Sequence, residues 1–414
     1  MSRLLKLFLA ALCLSAVAPI SAADPLKTEI FNDAFRTLKV QKDEDFFALP
    51  VIRLGSDDVL TFSFDEMGDD YSLLEYRLVH CNADWKPSSL LDSEIVARFN
   101  SAKVEDYAFS SNTYIHFVNY RISIPNDDIS PLVSGNYILQ VFPENNPDEV
   151  LLQARFAVSE ESIGVSGRAS SHTDRGSAGP FQQLSFTLSA PKLDIRDPFS
   201  ELIVVAAQNE APESIRYIRA PLRASNHEIV YEHLPDLIFP AGNEFRRFES
   251  VRVDYPGMHI DSITFAEPAY HVWLAPDFPR ADSEYLYDST QHGRFLVREH
   301  NATDSDLAAD YLVTHFSLKA PYVKDRDIFV QGEFSAFSLD KAYKMYYDFE
   351  DRAYHLSLPL KQGSYNYRYF SPQAPSAIEG DKHETSNEYS VRVYYRTPGA
   401  RADRLIATAQ FISQ

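Results

Sequence analysis

The stretch Glu388-Tyr389-Ser390-Val391-Arg392-Val393-Tyr394-Tyr395-Arg396 puts Tyr389, Val391, Val393 and Tyr395 on one side of an extended chain and Ser390, Arg392, Tyr394 and Arg396 on the other. A period of two is the pattern of a half-buried antiparallel strand. Shorter β-branched and aromatic runs repeat it: Val59-Leu60-Thr61-Phe62-Ser63-Phe64 and Tyr137-Ile138-Leu139-Gln140-Val141-Phe142. Turn residues bound them, Asp57-Asp58 before the first, Ser134-Gly135-Asn136 and Pro143 around the second. Segments of helical period are scarce, and 24 prolines along the chain would break them. The class is all-β, and short strands with turn signals between them predict two to three tandem immunoglobulin-like β-sandwich domains. An outer-membrane barrel competes for the same signal, since 13% of residues are aromatic. Barrels need alternating segments of ~10 residues joined by tight turns. Here the strands are short and proline is frequent, which favours sandwiches.

The N-terminus predicts export. Arg3 and Lys6 supply positive charge, Leu4 to Ala18 is almost wholly apolar, and Ser21-Ala22-Ala23 precedes the polar Asp24. That is the layout of a cleavable secretory signal over 1–23, with the cut expected after Ala23. Lipid attachment at Cys13 is not expected, because Leu12 stands where a small residue is needed. Cys81 is then the only cysteine of the mature chain, so no intrachain disulfide can close and stability must come from cores. After the cut about 390 residues remain, enough for two or three cores. The formal charge of −20 becomes −22 once Arg3 and Lys6 are lost. Such a chain repels phosphate backbones, so nucleic acid is not an expected partner.

Composition shifts suggest boundaries. Ser159-Glu160-Glu161-Ser162 reads as a hinge, and the small polar residues from Ser170 to Pro180 as a flexible loop. A second polar stretch runs from Glu299 to Asp306, after which Val313-Thr314-His315-Phe316-Ser317-Leu318 restarts a strand. These shifts predict an N-terminal sandwich over 24–158, a middle β domain over 163–300 and a C-terminal immunoglobulin-like sandwich over 310–414.

Catalytic templates are missing. There is no Gly-x-Ser-x-Gly elbow, phosphate-cradling glycine loop or His-Glu-x-x-His helix. His80-Cys81 suggests a thiol dyad, yet neighbours on a strand point to opposite faces. No second Cys/His cluster offers zinc spacing. The reading is a non-enzymatic protein without metal or cofactor, free as a monomer, whose surface binds another protein. The loop at Asp84, Trp85 and Lys86, which follows the strand ending at Cys81, is the expected contact.

The C-terminal segment resembles the immunoglobulin-like glycogen-binding modules. The order is Ile328-Phe329-Val330-Gln331-Gly332-Glu333-Phe334-Ser335-Ala336-Phe337, Tyr354-His355-Leu356-Ser357-Leu358, then Gly363-Ser364-Tyr365-Asn366-Tyr367-Arg368-Tyr369-Phe370. Tyr365, Tyr367 and Tyr369 share one strand face, where they could stack on sugar rings or fill the core. Sugar stacking there would make the protein a carbohydrate-binding accessory, which is the alternative function.

Three stretches carry a more specific likeness. They are His80-Cys81-Asn82-Ala83-Asp84-Trp85-Lys86-Pro87-Ser88; Pro125-Asn126-Asp127-Asp128 with Ser134-Gly135-Asn136-Tyr137-Ile138-Leu139; and Ile378-Glu379-Gly380 with His383-Glu384-Thr385-Ser386-Asn387-Glu388-Tyr389. In this order and spacing the chain resembles the plug protein family of the Bacteroidetes type IX secretion system. The resemblance implies a periplasmic protein, peripheral to the outer membrane, that docks on the translocon barrel and seals its pore. Sealing a pore in this way needs no active site.

Overall fold

The computed structural model describes residues 24–413 apart from 43, 44, 191, 192, 194, 226 and 227; the signal segment and its cut lie outside the described residues. Among the described residues the regular secondary structure is almost wholly β-strand, and the strands build three sandwiches. No helix of the described residues is long and apolar enough to cross a membrane.

The first sandwich pairs a six-stranded sheet with a four-stranded one. The larger runs Glu29–Ile30, Leu152–Ser159, Gly135–Pro143, Leu74–Cys81, Ala102–Lys103, with Val51–Arg53 also on Leu152–Ser159. The smaller runs Phe35–Lys42, Leu60–Met67, Phe117–Ile124, Asp106–Phe109. Alternate residues of Leu60–Met67 enter the core, where Phe62 and Phe64 meet Phe156 and Tyr120. Each such buried ring contributes roughly 1.5–3 kcal/mol over its exposed state.

The second and third sandwiches overturn the expected boundaries. One sheet of the second is Gly164–Ser170, Phe181–Ser189, Glu228–Tyr231, Arg223–Ala224, with Ile238–Pro240 beside Phe181–Ser189. Its other sheet is Arg216–Ile218, Leu202–Gln208, Glu388–Tyr395, Arg404–Ile412. The pairing of Leu202 with Tyr395 through Gln208 with Tyr389 joins the middle of the chain to its end. The third sandwich is inserted between them. Gly363–Phe370 pairs with Arg246–Glu249, Phe295–Val297 and Phe329–Gln331, facing a sheet of Ile260–Ala266, Ala269–Leu274, Tyr311–Leu318, Ala353–Lys361 and Tyr346–Asp348. Neither 163–300 nor 310–414 therefore closes on itself. The apolar run Leu202-Ile203-Val204-Val205-Ala206-Ala207 has both faces to cover; the short Arg216–Ile218 pairs with one edge of its strand, and the full-length partner on the other edge, Glu388–Tyr395, comes only after the inserted sandwich is complete.

Glu388–Tyr395 is buried on both faces, not one. Tyr389, Val391, Val393 and Tyr395 join the second core, while Tyr394 enters a seam with Leu49, Val51, Ala83 and Ala157 of the first sandwich. Tyr394 Oη donates to Asn136 Oδ1 at 2.7 Å. The expected hinge at Ser159–Ser162 is likewise pinned: the Glu160 and Ser162 N–H groups donate to Leu405 and Ile406 carbonyls at 2.9 and 2.8 Å.

Ion pairs close the other seams. Lys361 of the third sandwich lies 2.7 Å from Asp65 of the first, each side chain 1% exposed. Tyr311 Oη donates to the same carboxylate at 2.6 Å, and the Asp310 carboxylate accepts from Tyr114 and Ile115 N–H. Between the second and third, Arg294 meets Glu388 at 2.8 Å, and Glu244 accepts from Ser386 N–H at 2.9 Å. Each sandwich is thus held to the other two.

Candidate functional site

The loop after Cys81 faces a seam. The Ala83 N–H donates to Asp403 Oδ2 at 2.9 Å, Asp403 N–H returns to Asn82 Oδ1 at 3.2 Å, and Asn136 Nδ2 donates to the Asn82 carbonyl at 3.0 Å. Trp85 adopts a left-handed φ of 62°, and its carbonyl accepts from Leu26 N–H. Its ring lies under the Arg155 guanidinium, 4.3 Å away, a cation–π contact. Burial pulls the Arg155 pKa down to about 10. Lys86 reaches back to Asp84, at 4.0 Å. Asp84, Trp85 and Lys86 are each half-buried and serve the junction of the first two sandwiches, which already accounts for their positions.

His80 and Cys81 form no dyad. His80 Nε2 lies 3.2 Å from the Ser134 carbonyl and Nδ1 2.9 Å from Ser88 Oγ, so a neutral ring protonated at Nε2 satisfies both partners. Burial lowers the His80 pKa and pushes the Cys81 thiol up to about 12. A thiol so held is inert.

The proposed sugar platform is core. Tyr365, Tyr367 and Tyr369 are buried; Tyr367 and Tyr369 hydroxyls donate to Asp277 Oδ2 at 2.7 and 2.8 Å, and Tyr365 Oη donates to the Lys361 carbonyl at 2.6 Å. Sugar stacking at these rings is withdrawn, because a sugar would reach them only if the sandwich opened. The sequence left both roles open, and inward packing of this strand face decided between them.

Asp277 anchors a buried charge cluster that sequence reading missed. Arg246 lies 2.6 Å from Asp277 and 3.0 Å from Glu379, and Arg280 lies 2.6 Å from Glu379. Burial alone would raise the Asp277 pKa, but the His259 ring nitrogen at 3.3 Å and the Arg246 charge outweigh it and hold the group at about 2, against 3.8 ordinarily. A carboxyl with a depressed pKa contributes stability that is complete above its ordinary value and lost as pH falls from there through the folded value. Roughly 2 kcal/mol should therefore disappear between about pH 4 and pH 2. Urea titrations at pH 5 and pH 2.5 check this: Asp277→Asn should flatten that part of the pH dependence.

One chain of hydrogen bonds imitates a catalytic triad. Ser357 Oγ lies 2.8 Å from His315 Nδ1, and His315 Nε2 lies 2.8 Å from His271 Nδ1. In a triad a carboxylate orients the neutral imidazole and stabilises the imidazolium that forms when the ring takes the nucleophile's proton. Here burial and the second imidazole do the reverse and lower the His315 pKa to about 4. Trp273 stacks on His315 at 3.8 Å, on the outer face of the five-stranded sheet. Among the described residues no group of three or more His, Cys, Asp or Glu could hold a metal ion. Two clefts, of about 370 and 440 Å3, lie along seams of the first sandwich, lined by residues such as Lys42, Asp58 and Gln410 in one and Tyr114, Arg252 and Asp310 in the other. Neither brings a nucleophile to a base.

What the surface does offer is exposed aromatic clusters. Tyr71 stacks on Tyr107 at 4.6 Å with Phe109 edge-on at 6.4 Å. Tyr114, Phe265 and Tyr270 form a second trio, and Tyr322, Tyr347 and Phe349 a third. Fold and surface together define a body of β-sandwiches that carries exposed aromatic clusters.

Residues 35–160 match the family described as type 9 secretion system plug protein 1st domain. A crystal structure of a hypothetical protein from Parabacteroides merdae ATCC 43184 is 36% identical, with a TM-score of 0.91, covering 94% of this chain and 100% of that one. A Pseudomonas fluorescens alkylpurine DNA glycosylase bound to DNA overlaps 30% of this chain and 29% of its own at 14% identity; its TM-score of 0.18 is no structural likeness. No curated protein matches. The chain belongs to the plug protein family of the type IX secretion system, and its role lies in that secretion route.

Proposed function

We propose that this protein is the periplasmic plug of the outer-membrane translocon, a monomer when free, which docks on the barrel's inner opening and closes its aqueous pore. The carrying observation is the mutual locking of the three sandwiches. Asp65–Lys361, Tyr394–Asn136 and Arg294–Glu388 tie every pair of them. A plug must hold its shape against a wide water-filled opening, and needs a rigid body with a binding surface rather than a pocket. Family membership supports the same reading. The carbohydrate-binding alternative loses its residues with the burial of Tyr365, Tyr367 and Tyr369.

Conductance tests the reading directly. The purified translocon barrel, stripped of this protein and placed in a planar bilayer, should pass current that falls to near baseline when the protein is added on the periplasmic side. Undiminished current with saturating folded protein would end the proposal.

A further inference from the structure

We propose that the edge of strand Asp106–Phe109 is where the partner attaches, by adding an extended basic segment as a further strand to the first sandwich; the inference rests on the plug reading and names its contact. Asp106–Phe109 ends the order of its four-stranded sheet. It pairs inward only, Asp106 with Arg121 through Phe109 with Val118, and Ser110 N–H donates to the Phe117 carbonyl at 2.8 Å. Backbone groups alternate in direction along such a strand. Asp106 and Ala108 therefore face the sheet with Ser110, and the N–H and C=O of Tyr107 and Phe109 face outward. An unpaired edge of this kind is a template for strand addition.

The side chains supply the second argument. Phe35, Phe64, Tyr120, Tyr107 and Tyr71 form a ladder of rings spaced 6.0, 5.3, 5.9 and 4.6 Å. Its inner members are buried, and its outer end, Tyr71 and Tyr107 with Phe109, is 36–50% exposed. The core stack thus runs out onto the surface at the open edge, where another strand's side chains would continue it.

Charge selects the occupant. Asp70 and Asp106 are the chain neighbours of Tyr71 and Tyr107, Asp69 and Glu105 lie one residue further, and all four are exposed; of the cations beside them Lys103 is engaged by Glu144 at 2.6 Å, and Arg121, across from Asp106, by Asp304 at 2.7 Å. His116 lies on Asp69 at 2.5 Å. A segment carrying Lys or Arg between apolar residues fits this rim, and an acidic one is repelled. The cluster at Tyr322 and Phe349 is flanked by Lys319, Lys344, Asp327 and Asp351 in mutual pairs, so charge commits it to no partner. The trio at Tyr114 sits on the seam between the first and third sandwiches.

Photocrosslinking tests this on the full-length protein with the purified, detergent-solubilised barrel. Phe109→p-benzoylphenylalanine should crosslink to a basic segment of the barrel, and Phe349→p-benzoylphenylalanine should not. The triple variant Asp70→Lys, Glu105→Lys, Asp106→Lys, with an unchanged melting temperature, should bind about tenfold more weakly at 50 mM salt, a gap that narrows at 0.5 M. Wild-type affinity in that folded variant, a barrel crosslink from 349 alone, or a crosslink from 109 to a second copy of this chain would overturn the edge while the plug reading stands. Wild-type protein that fails to bind the barrel would overturn both.

Discussion

Replacing Lys361 by methionine is expected to lower the free energy of unfolding by about 3–5 kcal/mol, the largest loss from any single ion-pair change at the seams. Lys361 Nζ lies 2.7 Å from Asp65 Oδ2, donates to the Asp306 carbonyl at 2.6 Å and sits 3.9 Å above the Phe117 ring. Asp65 also accepts from Tyr311 Oη and from Asn119 Nδ2 at 2.8 Å. Burial outweighs the Asp65 attraction and lowers the Lys361 pKa below its ordinary value. The pair is therefore costly to bury and gains little over an apolar contact. Its removal hurts because a carboxylate is left in a dry seam with only neutral donors. Lys361→Met combined with Asp65→Asn should recover much of the loss, since an amide keeps an acceptor and carries no charge. Urea unfolding, followed by tryptophan fluorescence and by circular dichroism, checks both points. A loss under about 1 kcal/mol in the single variant would show that water reaches the seam. Separate transitions by the two probes would show that the sandwiches are not locked together.

Gly135→Ala should cost about 3 kcal/mol or more, combining backbone strain with overpacking. Gly135 has φ +146°, and a Cβ there would stand 2.3 Å from His80 Nε2 and 3.2 Å from the Asp403 carbonyl. The His80 ring cannot easily retreat, since it is held by Ser134 and Ser88 and lies edge-on to Tyr137 at 5.0 Å. Gly176 provides the comparison: its φ is +120°, with nothing within 4 Å of an added Cβ. Gly176→Ala then reports strain alone, and the difference between the two melting temperatures reports the clash. Equal shifts in both variants would remove the packing argument.

Gly135, His80 and Asp403 also show why the motifs were legible as a family likeness while their task was not. His80 to Ser88 and Ser134 to Leu139 are distant in sequence, yet they meet at one seam with Asp403 from near the chain's end. Glu379 takes hydrogen bonds from Arg246, Arg280 and the Tyr369 N–H, and Asn387 donates to Gln182 and to the Ala241 carbonyl. All three motifs join strands or sandwiches. None was read as a joint, because a motif states which residues are present and not which distant group completes them. Trp85 shows the same limit: its cover, Arg155, comes from another strand.

The exposed edge at Tyr107 and Phe109 was missed on different grounds. Asp106–Phe109 is only four residues long and has no clear alternation of polar and apolar character. Whether a strand is central or marginal depends on what pairs with it, and no local pattern records that.

The amino-acid order by itself determined the all-β class, the positions of the long strands and the lack of familiar catalytic signatures, because these follow from side-chain period and turn chemistry within a few residues. Tertiary structure decided that the third sandwich interrupts the second, that Glu388–Tyr395 is covered on both faces, and that the aromatic edge lies open. Those outcomes depend on contacts between distant segments, where burial of two apolar faces selects a partner that spacing along the chain does not name.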